Sequence, residues 1–580
     1  MKVLLNVLKS PLAWLSFTVV VASLYQSVFS TDLQTVVRSD GRGYYAYLPA
    51  LLIHQDGSFN QVIETEKAYD KGAQIYLYKD VYGETYNKYF PGVAVLQTPF
   101  FLTAIIVSWV SGFPIDGYND FFMLLFLVGA VFYFVLGLIF FSKALKLLFP
   151  DFNQTPLGSF SLMVFASPLF YYAVYCPSLT HLYSFTLLSG FVLLLLKLKS
   201  APTIRNYGLL GGLLGLIFLV RPTNVLIVFL IPFLLGDYDS LKTFIRHLFK
   251  EYGKRFFISL VVFLAVLSLL LVSWKWQTGS WIVWSYNGEG FNFFHPKILD
   301  ALFSYRIGLF SHTPILILSA VGLVLIWGKE KYKVGSFLLY ALVTTWIISA
   351  WWCWDYESVF GNRPFTEHLA ILFIPTLYLM RTYRKITWSL LFFFTFFGVF
   401  RMYQTVSEIT PVARYSSVSY WGSLFSYGQK EVGRWNFTAS CKPFGKEVEH
   451  VRVFAKDSMV FTPRDLFGLS QTSPMPKPRA NERYYYTVKL KKRHDLDSFD
   501  DVYLVVDAGC SDSEKRYYKA VKLFNDRNEG RGEWSDELTF SGIIHDNDQL
   551  FDHVKIYIWN KRKSEFQLKD VTYELSVYKA

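Results

Sequence analysis

Hydrophobic residues over the first 400 positions come in long runs that short polar stretches interrupt, whereas the rest of the chain has no such run. A helix of about 20 apolar residues is long enough to cross a bilayer. The pattern therefore predicts a polytopic α-helical membrane protein of about 11 spans. The predicted spans are 11–30, 120–142, 158–175, 180–197, 207–220, 224–236, 256–274, 312–328, 334–351, 367–380 and 386–403.

A further apolar run, 91–110, is harder to interpret because it follows Pro91 and contains Pro99. Cytoplasmic loops of membrane proteins carry an excess of Lys and Arg. The basic loops fall on the cytoplasmic side if residue 1 is inside and 91–110 does not cross. We therefore predict that 91–110 is a juxtamembrane or re-entrant helix, and that the loop 31–119 and the C-terminal region lie outside.

The C-terminal region alternates aromatic and β-branched residues with polar ones, a pattern typical of strands. It predicts an all-β sandwich of jelly-roll type, with a loop at 471–482. The predicted domains are 1–403 in the membrane, a linker 404–430 and the sandwich 431–580. The predicted strands are 483–490, 501–509, 516–524, 553–560 and 570–579.

Composition supports this assignment and narrows the function classes. Hydrophobic residues make up 52% of the chain and charged residues only 18%, against about 25% charged in soluble domains. The net charge of +12 follows from the basic loops, so we expect no nucleic-acid partner. Walker A, G-x-G-x-x-G and G-x-S-x-G motifs are absent, which removes the usual signals of nucleotide-driven transport and serine-type hydrolysis.

Polar residues of the membrane half collect in the predicted external loops. Asp40 opens the first long loop, and Tyr44 and Tyr45 follow it at helical spacing. A helix along the interface would bury these aromatic rings and direct Asp40 into a cavity, where a carboxylate can accept a proton from a hydroxyl. The competing interpretation is that Asp40 caps that helix.

Two cations on the same side are candidates for binding a phosphate. Lys88 precedes the 91–110 run, and Arg221 lies at the end of a predicted span, where a charge usually has a partner. A guanidinium matches the geometry of a phosphate. The competing interpretations are a lysine extended towards lipid headgroups and an ordinary interfacial arginine.

The segment 351–368 is the densest in chemistry. Its aromatic rings and carboxylates suit sugar rings, whose C–H faces stack on aromatics while their hydroxyls bond to acids. Arg363 is expected to pair with Glu357 or Glu367, and His181 faces the same surface, with a structural role as the alternative. The spacing of His, Asp and Glu does not indicate a strong metal site. The candidate sugar- or acceptor-binding residues are Tyr44, Tyr45, His181, Trp354, Asp355, Glu357 and Arg363.

Together these features resemble the GT-C superfamily of membrane glycosyltransferases, which includes lipid A aminoarabinose transferases and protein O-mannosyltransferases. The resemblance covers about residues 1–403 and rests on Asp40 after the first span, the aromatics behind it, the stretch from Lys88 to Pro91, and the soluble C-terminal domain. The common K-P-P-L pattern is replaced here by "KYFPGV".

The resemblance implies a polyprenyl-phosphate sugar as donor, with Asp40 as the catalytic base and Lys88 and Arg221 on the lipid phosphate. It implies a glycan, lipid or protein acceptor, and a place in a bacterial inner membrane with the N-terminus cytoplasmic and the C-terminal domain periplasmic. Some members use a divalent cation and others do not. Two other readings stay open: a lipid-linked glycan flippase or export protein, and a non-catalytic scaffold with a glycan-binding domain.

Overall fold

The chain forms two compact units in a computed structural model, Met1–Val399 and Phe400–Ala580. The first is helical, and the second is built mainly from strands. The residues that the structure describes are 10–69, 71, 74–79, 83–152, 155–199, 201–251, 253–286, 289–356, 358–407, 409–410, 417–427, 446–474, 482–494, 502–510, 513–523, 533–535, 537–544, 553–560 and 565–579.

The helices are α1 (Pro11–Leu24), α2 (Asp40–Pro49), α3 (Asn60–Ala68), α4 (Gly92–Val110), α5 (Asp120–Leu148), α6 (Thr155–Phe165), α7 (Pro168–Tyr175), α8 (His181–Leu198), α9 (Ile204–Val220), α10 (Ile231–Leu235), α11 (Tyr238–Arg246), α12 (Gly253–Thr278), α13 (Ile298–Phe303), α14 (Leu309–His312), α15 (Ile317–Trp327), α16 (Lys331–Ala350), α17 (Leu369–Phe373), α18 (Thr376–Thr382), α19 (Arg384–Val406) and α20 (Ser417–Gly422). A small hairpin, β1 (Leu77–Lys79) and β2 (Thr85–Asn87), precedes α4.

Seven of the described helices are long and apolar enough to cross a membrane, and the count reaches nine if two bent helix pairs each form one span. This is a multi-pass membrane protein. The predicted number of eleven is not reached. Segments 207–220 and 312–328 form shorter apolar helices, 224–236 is part of a pair bent by 119°, and 367–380 contains the two short helices α17 and α18.

Segment 91–110 is the continuous helix α4, which runs through Pro99. Its length and apolar character place it among the seven candidate spans. It packs against α2, α5 and α9. The orientation of every later loop depends on whether α4 crosses the bilayer, so the predicted topology stays a prediction.

Small residues bring α9 and α12 into close contact. A Cβ atom on Gly211 would lie 1.9 Å from the backbone oxygen of Ser259, and one on Gly215 would lie 2.7 Å from Cβ of Val266. Close backbone approach through glycine is a common way for helices to pack in membranes. The approach holds the C-terminal half of α12 beside the end of α9.

The predicted interfacial helix after the first span exists as α2, but most of its residues are buried within the protein. Arg42 on α2 forms a bidentate ion pair with Glu66 on α3, with Nη2–Oε2 at 2.5 Å and Nε–Oε1 at 3.2 Å. The Tyr118 hydroxyl donates to the same carboxylate, and Arg42 Nη1 donates to the backbone oxygen of Lys71. The pair fixes α2 against α3 and against the segment before α5.

The second unit contains the strands β3 (Lys446–Phe461), β4 (Phe467–Pro474), β5 (Glu482–Arg493), β6 (Val502–Cys510), β7 (Ser513–Lys522), β8 (Leu538–Ile544), β9 (His553–Asn560) and β10 (Phe566–Lys579). They form two four-stranded antiparallel sheets, ordered β3-β10-β5-β8 and β4-β9-β6-β7. Inward residues of both sheets, such as Val488 and Ile556, belong to one hydrophobic core.

All five predicted strands are present, and three more were not predicted: β3, β4 and β8. The predicted loop 471–482 begins as the end of β4, and its positions 475–481 lie outside the described residues. The same holds for much of the predicted linker, 408, 411–416 and 428–430, and for 431–445 of the predicted sandwich domain.

Glu66→Gln should lower the thermal stability of the purified protein strongly. Removing one partner of a buried ion pair leaves an uncompensated charge and costs about 3–5 kcal/mol, and the Glu66 side chain is fully buried. Thermal unfolding in detergent measures the effect. Glu64→Gln is the matched control, since Glu64 lies on the same helix with its side chain exposed. Equal midpoints for the two variants would contradict this role of the pair.

Candidate functional site

A cavity of about 690 Å³ lies in the first unit and gathers residues from distant parts of the chain. The segment between α1 and α4 contributes Asp40 and Lys88, the ends of α8 and α9 contribute His181 and Arg221, and Arg363 comes from the segment before α17. The volume is within the range of small-molecule sites, about 300–1,000 Å³. The cavity is thus lined by the predicted base, by the two cations predicted to bind phosphate and by part of the predicted sugar-binding set.

Asp40 is the first residue of α2, and an unusual backbone turn places it there. Ser39 adopts a positive φ of 51°, a conformation that costs energy for residues other than glycine and is found often at functional sites. The Asp40 carboxylate turns towards the cavity instead of capping its helix. Oδ2 lies 2.8 Å from Nη2 of Arg363, and Oδ1 accepts a hydrogen bond of 2.7 Å from the Tyr89 hydroxyl.

These contacts determine the ionisation of Asp40. Burial by itself raises the pKa of this carboxyl group, but the charge of Arg363, the Tyr89 hydrogen bond and the charge of Lys88 together outweigh burial. The pKa of Asp40 therefore lies below its ordinary value. At neutral pH Asp40 is an anion that is ready to accept a proton but is held as a weak base by its cationic partner.

Glycine in the sequence "DGRGYY" allows this arrangement. A Cβ atom on Gly43 would lie 2.2 Å from Cδ2 of Tyr89, so only glycine lets the Tyr89 ring come this close to α2. The Tyr44 ring lies against the Tyr89 ring on the cavity side, with centroids 4.6 Å apart. The two tyrosines line the wall beside the Asp40 carboxylate.

Lys88 follows the β1–β2 hairpin and contacts a carboxylate from a distant loop. Its Nζ lies 3.0 Å from Oε1 of Glu289, which also accepts from the Tyr78 hydroxyl at 2.9 Å. The Trp352 indole donates to Oε2 of the same residue at 3.4 Å. Burial lowers the pKa of Lys88, but the hydrogen bonds that its ammonium group donates to Glu289 and Tyr78 outweigh burial and raise the pKa, so Lys88 is a cation.

Arg221 sits above a fully buried carboxylate. Its Nη1 lies 3.3 Å from Oε1 of Glu367, and Asn224 donates to the same oxygen at 3.3 Å. Oε2 of Glu367 lies 2.7 Å from Nδ1 of His181. Arg221 and His181 line the cavity, while Glu367 lies behind them. The carboxylate thus fixes the orientation of two cavity residues at once.

One wall of the cavity is apolar. Phe218 from α9, Leu270 and Trp274 from α12, and Phe90 and Val283 form it. Only 11% of the apolar stretch of α12 is buried within the protein, so this helix packs on α9 and lines the cavity while most of its apolar surface stays uncovered by protein. The cavity lining therefore combines charged groups with an apolar wall from a candidate span.

Other predicted residues are elsewhere. The Tyr45 ring is buried in the helical core against Phe101 and Tyr118, with its hydroxyl on the Gly117 carbonyl. Arg306 pairs with Asp355 and lies over the Trp354 ring at 5.9 Å. Among the described residues, none of Tyr45, Trp354 and Asp355 lines the cavity. Glu357 lies outside the described residues.

Arg363 contacts Asp40, which was not among its expected partners Glu357 and Glu367. Glu367 instead contacts Arg221 and His181, and the expected contact with Glu357 lies outside the described residues. Tyr89 and Glu289 also line the cavity, although neither was predicted as a site residue. Glu289 is the one acid of the predicted external segment "WSYNGEGFNFFHP", which is a signal that could have identified it. Tyr89 directly follows the predicted site residue Lys88 in "KYFPGV", and this position next to Lys88 is the signal that could have identified it.

No group of three or more His, Cys, Asp or Glu side chains that could hold a metal ion occurs among the described residues. The three carboxylates at the cavity, Asp40, Glu289 and Glu367, each contact a cation. The side chains present do not form a donor set for a divalent cation. We therefore derive no chemical step through one.

No protein-family model matches the chain, and no curated protein matches it. Among solved structures it is similar to the crystal structure of the Archaeoglobus fulgidus oligosaccharyltransferase, with 11% identity and a TM-score of 0.39, over 68% of this chain and 52% of the other. It is also similar to the arabinosyltransferase EmbB from Mycobacterium smegmatis, with 10% identity and a TM-score of 0.32, over 96% of this chain and 64% of the other.

Both are GT-C glycosyltransferases, the superfamily that the sequence resembles. The chain spans about half of the length of the first and 64% of the second. Such weak similarity assigns no role to a residue, so the contacts within the cavity are the basis for interpreting the site.

Glu367→Ala should destabilise the protein much more than Glu289→Ala. The Glu367 side chain is fully buried and contacts three side chains, so its loss should cost about 3–5 kcal/mol. The Glu289 side chain is 18% exposed, so water compensates part of what Lys88 loses and the cost should be smaller. Thermal midpoints in detergent compare the two variants. A larger drop in the thermal midpoint for Glu289→Ala would show that burial does not determine how much Glu367 contributes to stability.

Proposed function

We propose that this protein is a membrane glycosyltransferase that moves a sugar from a polyprenyl-phosphate donor to an acceptor hydroxyl on the external side of the membrane. The acceptor belongs to a lipid, a glycan or a protein, and the transferred sugar is a hexose or a pentose. Asp40 is the proposed catalytic base, and Lys88 and Arg221 are the proposed ligands of the donor phosphate.

One observation carries this proposal: the cavity lining combines three cations, each in contact with a carboxylate, with an apolar wall that includes residues of the candidate span α12. A polyprenyl-phosphate sugar has the same division, since its charged phosphate joins a polar sugar to a long hydrocarbon tail. A soluble sugar donor would have no use for the wall formed by Phe218, Leu270 and Trp274. The wall therefore supports a lipid-linked donor.

The proposed reaction is a single displacement at the anomeric carbon. The acceptor oxygen forms a bond to that carbon, its proton passes to a carboxylate oxygen of Asp40, and the bond from carbon to the phosphate oxygen breaks with its electron pair on the phosphate. The products are a glycoside and a polyprenyl phosphate, which gains one negative charge. Cations held at the cavity stabilise this charge as it develops. A direct displacement of this kind inverts the anomeric centre.

Tyr44, His181 and Arg363 are the proposed contacts for the sugar and the acceptor, since they line the cavity near Asp40. Tyr44 offers an aromatic face and a hydroxyl group. His181 is held in place by Glu367. For Tyr45, Trp354 and Asp355, positions outside the cavity lining favour a structural role.

For the second unit we infer a jelly roll. Its strands pair as β3 with β10, β4 with β9, β5 with β8 and β6 with β7, as if one long antiparallel hairpin had been rolled up into two sheets. We propose that this domain lies on the external, periplasmic side of a bacterial inner membrane and that the N-terminus is cytoplasmic. The basic loops that follow the predicted spans support this orientation.

Asp40→Asn should abolish transfer while leaving folding intact. A general base contributes about 10²–10⁴ in rate, and asparagine keeps the size of the side chain but cannot take the proton. The assay uses membranes that contain either variant and a panel of radiolabelled polyprenyl-phosphate sugars. Asp32→Asn is the matched control, because Asp32 is an exposed carboxylate of the same external segment whose capping role asparagine can keep.

Wild-type rates in Asp40→Asn, with any donor that turns over, would remove Asp40 as the base. Transport of an intact lipid-linked glycan across sealed vesicles without formation of a glycoside would favour a flippase. Absence of both transfer and transport in the wild-type protein with every donor would favour a scaffold.

A further inference from the structure

Each of the three cations that line the cavity already has an anionic partner in the described part of the chain. Arg363 contacts Asp40, Lys88 contacts Glu289, and Arg221 contacts Glu367. A phosphate that enters this cavity meets three neutralised pairs and no cation without an anionic partner among the residues described there. To bind firmly, it has to draw at least one cation away from its carboxylate.

The Asp40–Arg363 pair is the one most open to such an exchange. Its side chains are 20% and 21% exposed, and both line the cavity. Glu289 is tied by Tyr78 and Trp352 as well as by Lys88, and Glu367 is buried behind Arg221. Asp40 would keep its hydrogen bond from Tyr89 if Arg363 turned away. An arginine side chain also has the planar set of donors that binds two phosphate oxygens at once.

We infer that the donor phosphate and Asp40 compete for Arg363, so that donor binding itself releases Asp40 to act as a base. This inference rests on the proposed function. It gives Arg363 a second role, as a ligand of the phosphate, in addition to the sugar or acceptor contact proposed from the sequence. In the empty cavity Arg363 keeps Asp40 a weak base, and in the donor complex the arginine serves the leaving group.

The exchange matches the charge changes of the reaction. A donor phosphodiester carries one negative charge, and the departing polyprenyl phosphate gains another as the sugar leaves. Arg363 therefore becomes more tightly bound to the phosphate as the reaction proceeds. Asp40 at the same time gains a proton and loses its own need for a cation. Transfer of Arg363 to the phosphate thus favours proton transfer to Asp40, because neither change leaves a charge without a partner.

Competition of this kind is reciprocal, and it makes a counterintuitive prediction. If Asp40 holds Arg363 away from the phosphate, removing the charge of Asp40 should strengthen phosphate binding while it abolishes transfer. The probe is radiolabelled polyprenyl monophosphate. Its binding is measured with the full-length protein in nanodiscs of phosphatidylcholine, a lipid without net charge. We expect Asp40→Asn to bind the probe at least about fivefold more tightly than wild type.

Any lost carboxylate makes the cavity more attractive to an anion, so a matched control is needed. Glu289→Gln removes one negative charge from the same cavity but leaves the Asp40–Arg363 pair in place. A double-mutant cycle separates the local effect from the general one. The gain from Asp40→Asn should disappear in an Arg363→Gln background, whereas any gain from Glu289→Gln, which frees Lys88 and not Arg363, should persist there.

Absence of any gain for Asp40→Asn would overturn the inference, as would a gain for this variant that persists without Arg363. Either result would leave the proposed function intact, because the lipid phosphate would still bind. Failure of every variant and of wild type to bind the probe would instead remove the lipid-phosphate donor, and with it both proposals. The thermal midpoint of each variant confirms that folded protein is compared.

A second measurement uses the wild-type protein alone and does not depend on any variant. The charged and titratable side chains that face Asp40 are Arg363, Lys88, Tyr89, Tyr44 and Tyr286. The acid limb of kcat/KM reports the free enzyme, and that of kcat reports the donor complex. Loss of Arg363 to the phosphate should move the acid limb of kcat to higher pH than that of kcat/KM. Coincident limbs, or a shift to lower pH, would contradict the exchange.

Discussion

The ion pair between Asp40 and Arg363 is the contact on which the arrangement of the cavity depends. It joins the segment between α1 and α4 to the segment before α17, and the other residues that line the cavity lie between Asp40 and Arg363 in the sequence. Charges that leave bulk water need partners, because desolvation of a single ion is expensive. The same requirement accounts for Glu367 under Arg221 and for Glu66 against Arg42. At these three places the charged side chains are therefore organised as pairs.

Hydrophobic patterning predicted the class of fold because the pattern of each helix or strand depends on whether lipid, water or protein core surrounds it. Runs of apolar residues identified the long helices, and alternation identified strands such as 553–560, whose residues are buried at every second position. The pattern failed where tertiary contacts replace lipid or core as the environment. Helix α9 is shorter than a full span and packs on α12 through glycine, and β4 carries the polar residues "SQTSP" that are typical of a loop.

Only some of the residues that line the cavity were predicted, and their contacts were not. Asp40, Lys88 and Arg221 were identified because charged residues next to apolar segments are uncommon and usually have a function. Their partners could not be found this way, since an ion pair between distant segments leaves no local pattern. For Arg363 the nearest acids in the sequence were Glu357 and Glu367, but its partner is Asp40. Tyr45 illustrates the opposite error, because helical spacing does not distinguish a residue facing a cavity from one facing the core.

The apolar wall that includes residues of α12 determines the concentration unit in which the affinity for a lipid-linked ligand has to be given. A ligand that reaches the cavity along this helix arrives by diffusion in two dimensions, so its effective concentration is its mole fraction in the bilayer. Adding detergent micelles or lipid at constant total ligand dilutes it and raises the apparent KM without any change in the protein. Rates at different lipid-to-protein ratios should then coincide only when plotted against surface density, and not against molar concentration.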